Sequence, residues 1–331
     1  MNQISGIIEK CENKLKLERT EIENKLMEDL RQFTAKIEET KVACWAFKDN
    51  ITVKKCNEYN TIIADLKQTL KDLSDQMKRV HEQQTDLEMM LGEYPLIEEL
   101  KVFILPFEEF WKLQAENIVK MKSWKSDNLS KLNPDEIEGD FKKMQSASTK
   151  LYGRFDNMKL PKPRDLANAM KEGLMKFRPT LPIIRALCNP GLMERHKIEL
   201  GKQIYGIKKL SDGTETCEQI FNEAETTSDD LVTNLGALGK KDLIEEISEK
   251  ASKEFSNEKA MTKMRDEWEP LEFMAISVPG KDSYILSGES VELIQTALDD
   301  HIIKTQTMKG SPFAKFMLDK IIAWETTLLR T

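Results

Sequence analysis

Few residues in this sequence have the types for chemistry, and their spacing is poor for it. The nearest approach to a phosphate loop is GALGKK at 236–241. A G-x-x-x-x-G-K-[ST] loop would need Gly in place of Asn234 and Ser or Thr in place of Lys241, so backbone amides could not cradle a phosphate there. His81, His196 and His301 stand far apart, and no pair has metal-ligand spacing. Cys188 and His196 have the types of a nucleophile and its base. Cys188, however, falls in an apolar helical run, where burial raises a thiol pKa and makes it inert. Asp299 and Asp300 are adjacent, so they leave a helix in different directions; capping or pairing with Lys304 is their expected use, not a shared proton. Trp111, Trp124, Trp268 and Trp324 lie on apolar helical faces and read as core, not as ligand platforms. No catalytic, cofactor-binding or metal-ligating residue is assigned, and no cofactor is expected.

The elements that carry these residues are helical. Of 331 residues, 32% are charged and 40% hydrophobic, with only 14 Gly and 11 Pro, the balance of a helix-rich chain of about two domains. A net charge of −7 argues against a nucleic-acid partner. Charge is uneven: 101–210 holds 22 Lys and Arg against 13 Asp and Glu, whereas 211–300 holds 8 against 22. Two solvated faces or two mutually attracting layers would both account for this. Cys11, Cys44, Cys56, Cys188 and Cys217 are scattered and imply reduced cytosolic thiols. The charged N-terminus is no signal peptide, and no apolar run approaches the ~20 residues that a bilayer requires.

Apolar residues recur at threes and fours from Ile4 to Ile37, which predicts an amphipathic helix; ACWAFKDN (43–50) then predicts a reversal. Tyr59, Leu66, Leu73, Val80 and Leu87 fall seven apart, with Ile63, Leu70, Met77, Gln84 and Leu91 between them. This heptad seam suits a hairpin with the first helix or a coiled coil with another chain, and the hairpin is preferred. A further helix carries Leu96, Leu100, Phe103, Phe107, Phe110, Trp111 and Trp124, with Pro106 expected to kink or split it. Asn133 and Pro134 open a helix through Ile137, Phe141, Met144, Leu151 and Phe155. LPKP (160–163) reads as a stiff loop before a helix from Leu166 to Phe177. SDGTE (211–215) is a predicted turn and Cys217–Leu235 a weak helix. A long helix follows through Ile244, Ile247, Ala251, Phe255, Met264 and Trp268 to Pro270. Only at 271–288 does the period switch to two, which predicts one small β-hairpin. Two closing helices hold Val291, Ile294, Leu298 and Ile302, then Phe313, Phe316, Trp324 and Leu328.

The most distinctive stretch is FRPTLPIIRALCNPGLMERH at 177–196. Pro179 and Pro182 suit the first turn of a helix that buries Ile183, Ile184 and Leu187, with Cys188 its last buried residue. Asn189 before Pro190 stops that helix and starts the next, while Arg185, Glu194 and Arg195 remain for surface pairs. The string is similar to the proximal linker region of dynein heavy chains, in which LPxIxxLxNPxLxxRHW occurs. DDHIIKTQTMKGSPF (299–313) resembles that family's DDxxxKxQxMxxSPF segment, and 246–268 resembles the helix between the two. The resemblance is specific over 95–331 and weaker over 1–94. It departs at Lys197, which replaces the family's usual Trp.

The resemblance implies a mainly α, elongated, linker-like helical bundle. Residues 1–94 would form a helical hairpin or coiled-coil tail segment and 95–331 an incomplete linker-like domain. In function it implies a non-catalytic mechanical and interaction segment of a microtubule motor of the axonemal type. Dynein intermediate and light chains and the motor ring are the implied partners, without nucleic acid, membrane or direct microtubule binding. The implied location is the cytoplasm and cytoskeleton, and specifically the ciliary axoneme. That family's ring, phosphate loops and stalk lie further C-terminal, so a fragment, a truncated product and a stand-alone relative are all consistent. A spectrin-like scaffold would explain 1–160 equally well, but neither the proline string nor TQTMKGSPF.

Overall fold

The computed structural model describes residues 2–49, 51–206, 208–209, 215–216, 220–233 and 236–330. It is mainly helical and divides into two compact units, Met1–Ser123 with Glu138–Arg178, and Trp124–Ile137 with Pro179–Thr331. Among the described residues no helix is long and apolar enough to cross a membrane.

In the first unit α1 (Asn2–Trp45) and α2 (Cys56–Asp86) pack along each other after a reversal through two 3₁₀ turns, Ala46–Lys48 and Val53–Lys55. The α2 seam is buried at Tyr59, Ile63, Leu66, Leu70, Leu73, Val80 and Gln84. Gln84, the polar interruption in the heptad, accepts the Gly92 N–H at 3.1 Å and so fastens the turn that ends the helix. Leu87 and Leu91 lie beyond that end, and Leu91 is exposed. On α1 the stripe is buried at Leu26, Phe33, Ile37 and Cys44, whereas Ile8, Leu15 and Ile22 are exposed. For Ile8 and Leu15 the reason is length: Arg19 donates to the Leu87 carbonyl just past the end of α2, so residues before it have no α2 alongside.

Pro106 does not split α3, which runs unbroken from Pro95 to Ser126. The burial of Ile97, Leu100, Ile104, Phe107, Phe110 and Trp111 outweighs the missing N–H, and Ile104 takes the core place expected of the half-buried Phe103. α4 (Pro134–Asn157) starts where Asn133 Oδ1 accepts the Asp135 N–H at 3.1 Å, and Ile137, Phe141, Met144, Leu151 and Phe155 are all buried. Pro161 and Pro163 are not a loop but belong to the first turn of α5 (Pro161–Phe177), where proline loses no helical bond.

The second unit is built on α9 (Lys241–Trp268), against which α6 (Thr180–Leu187), α7 (Glu194–Tyr205) and the 3₁₀ segment Pro312–Met317 pack. Phe255 is at the exposed edge of α9, not in its core. α8 (Ser228–Thr233) is all of the expected 217–235 helix among the described residues. Asn222 diverts the chain before it: its Oδ1 accepts from Ala224 N, its carbonyl takes the N–H groups of Glu225 and Thr226 in a tight turn, and the Glu223 and Thr226 carbonyls accept from Ser130 and Leu129. The 211–214 part of the predicted turn, Cys217 and Asn234 lie outside the described residues. Lys208–Lys209 (β1) and Glu215–Thr216 (β2) form an antiparallel pair too short for the sequence to signal.

The expected hairpin is Ala275–Ser277 (β3) with Tyr284–Leu286 (β4), shorter than its apolar alternation, with Gly280 supplying the positive φ of the turn. α10 (Gly288–Lys309) packs on α11 (Leu318–Leu328). Met261 and Met264 of α9 join Met308, Ala314, Met317 and Ile321 in one core cluster, with Trp324 against it. Phe313 and Phe316, expected on the closing helix, lie in the 3₁₀ segment before it, and Phe316 is exposed.

Candidate functional site

The proline string forms a corner fastened to α9 by three polar side chains. Pro179 precedes the first turn of α6 and Pro182 lies inside that turn, while Ile183, Ile184 and Leu187 are buried. Cys188 is half-buried and donates to the Leu129 carbonyl at 3.3 Å; burial pushes its thiol up to about 11. Asn189 then does more than end the helix. Its Nδ2 donates to the Ser248 carbonyl at 2.9 Å, to Ser248 Oγ at 2.9 Å and to Ser252 Oγ at 2.7 Å, and its Oδ1 accepts Gly191 N–H at 2.9 Å. Gly191 lets the corner lie flat on α9, because a Cβ there would come within 2.9 Å of the Ala251 carbonyl oxygen. The next helix therefore begins at Glu194, not at Pro190.

The second half of the clasp centres on Glu254, a carboxylate on the apolar stripe of α9 that is only 5% exposed. Its Oε2 accepts from His196 Nε2 at 3.0 Å and from Arg195 Nε at 2.9 Å. Met193 N–H donates to His196 Nδ1 at 3.1 Å, so the imidazole proton resides on Nε2. Burial, reinforced by the Arg195 charge and opposed by Glu254, holds the His196 pKa below its ordinary value. Arg195 is thus the partner of a buried carboxylate, not a residue for casual surface pairing. Its guanidinium also stacks 4.0 Å from the Phe316 ring centroid, and Lys253 lies 4.6 Å from that of Phe313. Both segments that resemble the dynein family, NPGLMERH and KGSPF, therefore meet at α9.

The other candidate groups are not brought together. Lys240 of GALGKK reaches the carbonyls of Gln203 and Ile204 at the end of α7, so its cation is used at a helix C-terminus. His81 contacts the Gly92 carbonyl at 2.8 Å; His301 receives the Trp268 indole N–H at 2.7 Å and lies 2.8 Å from Glu267. Asp300 pairs with Lys304. Lys197 donates to Glu223 at 2.6 Å and its carbonyl accepts from Phe221 N, which ties the 221–227 segment to α7. Among the described residues no group of three or more His, Cys, Asp or Glu could hold a metal. Sequence reasoning missed Asn189 and Glu254; the signal for Glu254 was a carboxylate in register with Ile247, Ala251 and Met261.

The corner separates buried from exposed neighbours sharply. Ile184→Ala is expected to cost about 2–5 kcal/mol through its cavity, whereas Arg185→Ala, whose pair with Asp135 is exposed, should change stability by about 0–1 kcal/mol. Denaturant unfolding of the full chain measures both, and the reverse ranking would mean that the faces of α6 are misassigned.

The family described as dynein heavy chain, N-terminal region 2, matches residues 97–331. Dynein axonemal heavy chain 3 of Homo sapiens is 28% identical over 331 residues, which is 99% of this chain and 8% of that protein. Dynein axonemal heavy chain 12 of Rattus norvegicus is 28% identical over 317 residues, or 93% of this chain and 10% of that protein. Dynein axonemal heavy chain 1 of Homo sapiens is 24% identical over 304 residues, or 92% and 7%. The chain spans only a small part of the length of these relatives. With its two characteristic segments meeting on α9 and its match over residues 97–331, the chain belongs to the dynein heavy chain N-terminal region 2 family.

Proposed function

We propose that this chain is a non-catalytic mechanical and interaction segment of an axonemal-type dynein heavy chain, similar to the end of the tail and the proximal linker. In this reading 1–94 is the tail segment and 95–331 a linker-like lever; the family match, beginning at residue 97, supports that division. The observation that carries the mechanical part is the clasp, where Asn189, Arg195 and His196 hold a proline-set corner against α9 and Arg195 stacks on Phe316. A lever needs corners that do not yield, and hydrogen bonds to a buried carboxylate are among the stronger ones available. Force would pass from the motor ring through such a lever, with dynein intermediate and light chains as partners and the ciliary axoneme as the location. The names of the relatives support this placement.

Chemistry and track binding would then belong elsewhere in a motor. The purified chain is expected to show no ATP hydrolysis above buffer and to stay in the supernatant when microtubules are pelleted. Hydrolysis that survives repurification and is lost on a substitution within this chain would overturn the reading.

A further inference from the structure

The β3–β4 hairpin of the second unit stands clear of the helices that carry it. From Glu272 to Leu286 no residue is buried, and Tyr284, Ile285 and Leu286 are 71%, 61% and 56% exposed. The hairpin is fastened at its base, where Ser287 N–H donates to the Met274 carbonyl at 2.7 Å and Ser290 Oγ accepts the Met274 N–H at 3.2 Å. Both of its faces are apolar: Ile276 pairs with Ile285 on one, Ala275 with Leu286 on the other. A hairpin meant for water would keep one face polar, and two strands alone are marginal there.

The ladder shows where a third strand fits. Val278 N–H donates to the Ser283 carbonyl and Ser287 N–H to that of Met274, so the alternation of an antiparallel pair makes Ile276 and Ile285 the hydrogen-bonded pair between them. The N–H and C=O groups of Tyr284 and Leu286 therefore point away from β3. From Ser283 to Gly288 this edge carries no charge and no proline, the usual guards of an open strand, whereas β3 runs into Pro279. The surroundings are acidic. From Asp266 to Ile303 nine Asp and Glu stand against Lys281 alone. Glu267 and Asp300 are used by His301 and Lys304, but Asp282 at one end of β4, and Glu289 and Glu292 past the other, have no ion-pair partner among the described residues.

We propose that β4 takes up an extended segment of a partner protein as a third strand, about five apolar or β-branched residues long with lysine or arginine at both ends. Its backbone bonds to Tyr284 and Leu286, its side chains widen both apolar faces, and its cations meet Asp282 at one end and Glu289 and Glu292 at the other. Charge decides against a second copy as the occupant: laid antiparallel on β4, it would bring its own Asp282 toward Glu289 at each end of the pair. A basic segment is attracted and steered in instead. The partner is defined by this chemistry and is independent of any role in a motor.

The test uses the full chain and a fluorescent synthetic peptide of about nine residues, alternating valine and threonine between paired lysines. One twin carries glutamate for each lysine; another keeps the lysines but has its central amides N-methylated, which blocks the ladder. The lysine peptide should bind saturably, weaken with salt and slow hydrogen exchange at Tyr284 and Leu286. The N-methylated twin should bind about tenfold more weakly or worse, an arm that needs no variant of the chain. Joint Asp282→Lys, Glu289→Lys and Glu292→Lys replacement should weaken the lysine peptide by a similar factor and let the glutamate twin bind instead. Leu286→Pro removes one outward N–H, which an edge strand tolerates, and should weaken the lysine peptide on the native chain. Circular dichroism confirms that each variant keeps its helices. Failure to bind up to about millimolar peptide, equal binding of the lysine and N-methylated peptides, or indifference to the charge reversal would overturn the proposal. So would self-association of the chain, in sedimentation without peptide, that Leu286→Pro abolishes, since a second copy would then be the occupant.

Discussion

Glu254→Ala is expected to destabilise the chain by about 3–5 kcal/mol, the range for removing one partner of a buried ionic pair. The buried His196 Nε2–H loses its acceptor, and a cavity opens on the apolar stripe of α9. Arg195, which is half-exposed, can turn to water, so the loss belongs at the lower end of that range. Glu254→Gln should cost less, because an amide oxygen can still accept from His196. If the clasp also holds the SPF segment, hydrogen exchange should rise at residues 311–317 in both variants. Exchange confined to α7 would show instead that the Arg195–Phe316 stack carries nothing across.

The same cluster sets a dependence on pH. The unfolded His196 titrates near its ordinary value of 6.5 and the folded one lower, chiefly because it is buried. As pH falls, the unfolded chain binds the proton first, so stability is complete above 6.5 and declines from there toward the folded pKa. Glu254 pulls the folded value back up, so Glu254→Gln should extend the decline to lower pH. A urea titration repeated at several pH values reads both effects.

What could be read from the sequence was set by how local the physics is. The α4 face was legible because its cap, its first-turn proline and its apolar period all lie within one helix and agree. The α2 seam was legible for the same reason, down to Gln84, whose use had to wait for Gly92 to come near it. Asn189 could be read only as a helix stop, since its three acceptors belong to Ser248 and Ser252, 59 and 63 residues away. Glu254 showed in the sequence only as a carboxylate in register with an apolar stripe; the donors that let it be buried, Arg195 and His196, arrive from another helix. Pro106 shows the converse error. Its local penalty was read correctly, but the apolar burial along the 32 residues of α3 overrides it.

Phe107, one residue beyond that proline, is where the first unit should be most sensitive. Phe107→Ala is expected to cost about 3–5 kcal/mol, the range for truncating a fully buried phenylalanine. Its ring meets Phe47 at 5.7 Å, Phe103 at 5.2 Å and Phe155 at 5.1 Å between centroids. It thereby joins the turn after α1 to α3 and α4. Collapse into the space it leaves is hindered, because Phe47 also packs on Tyr59 at 5.6 Å and Phe155 on Phe110 at 6.0 Å. The cavity should persist, and cost rises with residual cavity volume. Phe107→Leu keeps much of the volume and should cost less. Val102→Ala, on the exposed side of the same helix, should stay within about 0.5 kcal/mol. Denaturant unfolding of the three variants decides it: a loss below about 1 kcal/mol for Phe107→Ala would mean that the surrounding rings repack freely and that the aromatic cluster is not what holds these helices together.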